Sequence, residues 1–166
     1  MHILINKKYL TYKDYKVKCA LGKRGIKIKR KEGDLITPIG NYKIKYILYR
    51  KDRIRNFKSK VKKIIIRKNI GRCDDSRSKK YNQLVRLSSE YSCERLYRKE
   101  NIYDLILVLN YNMRPIVKNK GSAIFIHVAK ANYKKTEGCV AVKKQHLIKI
   151  ISELKKSTKV KIGNQK

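Results

Sequence analysis

The sequence predicts a mainly β fold with a few helices (α+β), built as a single domain. Three observations predict it. Asn41–Arg50 alternates, with Tyr42, Ile44, Tyr46 and Leu48 on one face, which is the period of a pleated strand. Tyr103–Leu109 and Ala123–His127 are continuous apolar runs of strand length, the pattern of strands covered on both faces. Lys144–Lys155 is the stretch with a helical period, placing Leu147, Ile148, Ile151 and Leu154 on one side and lysines opposite.

The remaining elements follow in order. Met1–Leu10, Tyr15–Leu21 and Ile26–Lys29 alternate or cluster apolar residues at strand-like lengths, and Gly22 and Gly25 mark a turn between the last two. Lys31–Gly40 holds Gly33, Pro38 and Gly40 and reads as a loop without regular structure. A basic connection, Arg50–Lys60, leads to a strand over Val61–Ile66. Gly71–Lys80 is polar, acidic at Asp74 and Asp75, and reads as a surface loop. Lys159–Ile162 is expected as a last edge strand and Gly163–Lys166 as a frayed end, so the domain is placed at residues 1–162.

Bulk properties narrow the function classes. A chain of 166 residues is long enough to bury a core, and 42% hydrophobic content argues for folding despite 34% charged residues. No apolar run approaches the roughly 20 residues of a membrane-spanning helix. The N-terminal stretch lacks a basic segment followed by a long apolar one, so no secretory signal is read and the sequence by itself points to the cytoplasm. The net charge of +33, from 45 basic and 12 acidic residues, has two readings. One is non-specific binding of a polyanion, nucleic acid included, through the basic surface. The other is codon-driven composition, since Lys, Ile, Asn and Tyr are all over-used. No zinc-finger spacing or RNA-binding aromatic motif accompanies the charge, so nucleic-acid binding rests on charge alone. Cys19, Cys73, Cys93 and Cys139 form no C-x-x-C pair, which argues against a structural zinc or a thioredoxin-type motif. No metal and no cofactor is called for.

The chemistry concentrates near the C-terminus. Gly121-Ser-Ala-Ile-Phe-Ile-His127 ends an apolar run on a histidine, and Thr136-Glu-Gly-Cys139-Val-Ala-Val142 sets a cysteine directly behind a glycine. A thiol nucleophile needs a base to take its proton and backbone N–H groups aimed at the oxyanion it creates. His127 can supply the first, and the Gly138–Cys139 turn the second. The pairing predicts acyl transfer on Cys139. A buried structural cysteine and a half-buried histidine are the alternatives that the residues alone leave open.

Several segments in order resemble the L,D-transpeptidase catalytic domain family (YkuD-like), in its short, signal-less branch. Lys31-Glu-Gly-Asp34 and Thr37-Pro-Ile-Gly-Asn-Tyr42 resemble its loop and following strand. Asp74-Asp75 with Tyr81-Asn82, then Glu94, Tyr103-Asp104 and Tyr111-Asn112, lead into the two segments that carry His127 and Cys139. The resemblance implies the YkuD-like fold, with Cys139 as nucleophile and His127 as the base that also forms a thiolate–imidazolium pair. It implies an oxyanion hole around Gly138 and Cys139. The implied partner is a peptidoglycan peptide stem or a related peptide containing D-amino acids, with an amine or water as acceptor, and the implied compartment is the periplasm or cell wall. Thr136, Glu137, Ser122, Tyr81, Asn82 and Asp75 are the candidates for contacts with that peptide, loop capping being the alternative for Asp74–Asn82. The chain departs from the commoner family motif at Glu137, where a histidine is usual, and at Ala141, where an arginine is usual. The interval Val128–Lys135 is also short. Lys143 and Lys144 are the basic residues nearest to that missing arginine.

Overall fold

The computed structural model describes residues 2–88 and 90–163. It is mainly β, with one α-helix and two short 3-10 turns among the described residues. The large sheet runs β13(Val140–Val142), β12(Phe125–Val128), β11(Leu105–Leu109), β6(Gly40–Tyr49), β14(Lys159–Ile162), β1(His2–Asn6), β2(Tyr9–Tyr12), β3(Tyr15–Lys18), and β7(Lys63–Ile65) also pairs with β6. A smaller sheet is ordered β10(Cys93–Arg95), β8(Ile70–Cys73), β9(Leu84–Arg86), and β4(Ile26–Lys27) pairs with β5(Thr37–Pro38).

The continuous apolar runs predict burial on both faces, and every residue of β11 is buried. Leu105, Leu107 and Leu109 face a first core that holds Leu147, Ile150, Ile151 and Leu154 from α1(Lys144–Glu153) and the region just past it. Ile106 and Val108 face a second core with Leu48, Ile66, Leu96, Tyr103 and Phe125, and Ile70 and Leu84 of the small sheet pack against it. The large sheet is thus a middle layer between the helix and the small sheet.

Several elements differ from the sequence pattern for local reasons. The strand expected over Met1–Leu10 is a hairpin that turns at Lys7, whose φ of 49° is left-handed, and Met1 lies outside the described residues. The alternation of β6 switches faces partway. Val108 opposes Tyr46 but Leu109 opposes Ile44, so Lys45 is the extra residue of a β-bulge. Tyr42 and Ile44 therefore pack on the first core, whereas Tyr46 and Leu48 pack on the second. The Lys31–Gly40 loop contains the short strand β5.

Gly71–Lys80 is not wholly a surface loop, because β8 occupies its start and Arg72 there is 1% exposed. Polar residues at buried positions hide that strand from a hydrophobic pattern. Lys159–Ile162 is an interior strand, parallel to β1 and antiparallel to β6. Gly163 is buried and donates to the Ile5 carbonyl at 2.7 Å, so the expected frayed end does not begin there. Residues 164–166 lie outside the described residues.

The loop before β5 is clasped by Asp34. Its carboxylate meets Lys29 Nζ at 2.5 Å and accepts from the N–H groups of Arg30, Lys31 and Ile36. Burial works to raise its pKa, but Lys29 and these donors outweigh that and hold it at about 2. The folded value lies below the unfolded 3.8, so this contribution is complete above that value and is lost as pH falls through about 2. Asp34→Asn should lower stability at neutral pH by about 2 kcal/mol. Urea denaturation at a series of pH values should show the gap closing towards pH 2; a pH-independent gap would contradict this account.

Candidate active site

β12 and β13 are parallel neighbours, with Ile126 opposite Val140 and His127 opposite Ala141. Alternation along β12 sends Ile126 and Val128 to the helix-side core, while Phe125 faces the second core. His127, two residues on, shares that face, and its ring meets the Tyr103 ring edge-on at 5.3 Å between centroids. Cys139 lies just before β13 and packs against the same core. His127 and Cys139 thereby line one cleft of about 960 Å³, together with Thr136, Glu137, Gly138 and Ser122.

The Cys139 turn is built by small residues in close contact. Gly138 has φ +146°, and a Cβ there would lie 2.9 Å from the Ile36 carbonyl oxygen. A Cβ on Gly22 would lie 2.4 Å from Leu35 O and 3.1 Å from the Gly138 Cα. Two glycines therefore allow the strand-like stretch Ala20–Gly22 to press on the turn, where Ala20 bridges to Ala141 and Gly22 to Thr136. Thr136 Oγ1 donates to Cys139 O at 2.5 Å and accepts from Gly138 N–H at 3.2 Å.

In this resting geometry Cys139 and His127 bond to other groups. The Cys139 thiol donates to Ala123 O at 3.1 Å and receives Phe125 N–H at 3.4 Å. His127 Nδ1 lies 2.9 Å from Val128 O. Burial pushes the Cys139 thiol up to about 12, aided by the Glu94 carboxylate, and lowers His127 to about 4 against the Val128 and Ile102 carbonyls. Both shifts favour the uncharged form of each group, thiol and imidazole. Water exclusion is the physical reason.

Tyr81 and Asn82 do not form the walls of this cleft. They are 1% and 2% exposed and act as bolts behind it. Tyr81 donates to Glu32 and accepts Gly121 N–H at 3.0 Å. Asn82 Oδ1 accepts from Arg72 and, at 3.1 Å, from Ala123 N–H, while its Nδ2 donates to the carbonyls of Tyr111 and Asn112. Ala123 is thereby held at φ 51°, a left-handed conformation unfavourable for alanine, with its carbonyl on the Cys139 thiol. Asp75 is engaged by Arg77 in the adjoining loop. Glu137 is exposed at the cleft wall. Lys144 is committed to the buried Asp104, which also pairs with Arg53, whereas Lys143 is exposed at the start of the helix.

The sequence pattern passes over the acid beside this site. Glu94 accepts from Tyr103 Oη at 2.5 Å and from Arg98 at 3.4 Å, and burial raises its pKa. Its only sequence signal is its place in the family-like series. The short interval after β12 contributes Lys130, Lys134 and Lys135 to the cleft lining, to which Arg95 and Arg98 also belong.

The match to known families agrees with this architecture. The L,D-transpeptidase catalytic domain (YkuD) matches residues 2–162, nearly the whole chain, and the chain belongs to that family. No curated protein matches it. Among the described residues no helix is long and apolar enough to cross a membrane.

Asn82→Ala should cost about 3 kcal/mol or more, because it strands several buried partners and leaves alanine at φ 57°. A denaturation midpoint equal to that of the native chain would show that Asn82 is not the bolt described.

Proposed function

We propose that the protein catalyses L,D-transpeptidase acyl transfer on peptidoglycan-type peptides, with Cys139 as nucleophile and His127 as general base. The observation that carries this reading is the convergence of both side chains on one cleft from adjacent parallel strands, behind the glycine turn. In the first half-reaction the Cys139 thiol leaves Ala123 O and gives its proton to the neutral His127 ring as Sγ bonds to the substrate carbonyl carbon. The Val128 and Ile102 carbonyls beside the ring favour the imidazolium as it forms. The tetrahedral oxyanion is taken by the backbone around Cys139, since Gly138 N–H already donates to Thr136. Collapse breaks the C–N bond, and the imidazolium protonates the departing D-amino acid. An amine then attacks the thioester and His127 takes its proton; the C–S bond breaks and an amide forms. Water in the same role gives carboxypeptidase action.

Ala141 stands where the family's carboxylate-binding arginine is usual, so the basic wall of Lys130, Lys134, Lys135, Arg95 and Arg98 takes over recognition of the peptide's carboxylates. The exposed Glu137 and the buried Ser122 offer polar contacts along the cleft lining.

Incubation with a carbapenem or a tetrapeptide stem should give a covalent mass adduct on the native chain and none on Cys139→Ala. No adduct on either protein would sink the reading. His127→Ala should slow acylation by about two to four orders of magnitude. A base must be unprotonated to act, and His127 is held near 4. The acylation rate should therefore persist through mild acid and fall only as pH approaches about 4; an inflection near 6.5 would place a different base in the mechanism.

A further inference from the structure

Cys73 on β8 and Cys93 on β10 are direct partners across an antiparallel pair. Cys73 gives its backbone groups to the opposite neighbour, donating to Gln83 O at 3.0 Å and accepting from Asn82 N–H at 2.9 Å. Towards β10 it therefore occupies a non-hydrogen-bonded position, and the bond from Asp74 N–H to Ser92 O at 3.3 Å marks the adjoining bonded pair. At such positions Cα atoms approach to about 4.5 Å with side chains close together, within the roughly 4.4–6.8 Å that a disulfide spans. Arg72 and Glu94 point at the large sheet, so alternation turns both thiols to the other face. The Cys73 thiol donates to Asp75 O at 4.0 Å. Burial first, and then the charge of a neighbouring thiol, raises the pKa of Cys93 and of the Tyr91 phenol. Cys73 is buried and Cys93 is partly exposed, so Cys93 is the more accessible of the two.

We propose that Cys73 and Cys93 form a reversible cross-strand disulfide, a redox modification site on the wall of the cleft. The oxidant is a low-molecular-weight disulfide. The Cys93 thiolate attacks one of its sulfurs and expels the first thiol, leaving a mixed disulfide on Cys93. Cys73 then attacks the Cys93 sulfur and expels the second thiol. Two S–H bonds are lost, two electrons pass to the oxidant, and the oxidant leaves as two thiols. The bond closes the loop from Asp74 to Ser92, which carries the Tyr81 and Asn82 bolts, and ties β8 to the strand that presents Glu94 and Arg95 to the cleft.

The test uses the full chain carrying Cys139→Ala, so that the outcome does not depend on the acyl-transfer reading. Oxidised glutathione should remove two hydrogens from the intact mass, yield a linked Cys73–Cys93 peptide that a dithiol reverses, and raise Tm by about 5 °C or more. In the same background Cys73→Ala should stop at a glutathione adduct on Cys93. A persistent adduct without cross-linking when Cys73 is present, or linkage of either cysteine to Cys19, would overturn the proposal.

Discussion

The burial of β11 on both faces is the constraint from which the rest of this structure follows. A strand with leucine, isoleucine and valine in unbroken succession must be covered twice, and the two covers differ in kind. The amphipathic helix fills one side, while three short strands cover part of the other. Where the smaller cover gives out, the face that carries Phe125 and His127 opens into the cleft, and the Cys139 turn reaches the same opening. The candidate site is thus the edge of a core, where burial favours an uncharged thiol and an uncharged imidazole in a chain of net charge +33.

Placing Cys139 at such an edge requires that nearby polar groups be satisfied internally. One carboxamide, that of Asn82, meets the buried guanidinium of Arg72 and the backbone of three other residues. It lies in the chain far from Cys139 but governs where the Ala123 carbonyl sits. Glu94 and Tyr103 form a second, partly buried polar contact beside His127. Positioning in this site therefore runs through hydrogen bonds to main-chain atoms as well as through side-chain packing.

Much of the large sheet was legible because strand periodicity is local. Asn41–Arg50 and Tyr103–Leu109 announce themselves without knowledge of their partners. The small sheet was not, since Arg72 and Glu94 point inward and invert the usual pattern. The bulge at Lys45 was equally hidden, because it exists only in the register between two distant strands. His127 and Cys139 were legible as a pair because a short interval joins them and parallel neighbours bring them together. The anchoring contacts of Tyr81 and Asn82 were not, because their partners are backbone atoms of remote segments that no residue spacing encodes.

The position of β14 has a consequence for how the chain comes to be folded. This strand lies between β1 and β6, although nearly the whole sequence separates it from β1. During synthesis the β1–β3 meander leaves the ribosome first, and its seam to the remainder of the sheet stays open until the stretch after the helix has emerged. Until then the edges of β1 and β6 present unpaired N–H and C=O groups, the template on which neighbouring nascent chains associate. Such long-range parallel closure is slow relative to hairpin formation. In the interval before β14 arrives those edges are open to association, and Lys43 and Lys45 of β6 supply like-charge repulsion there.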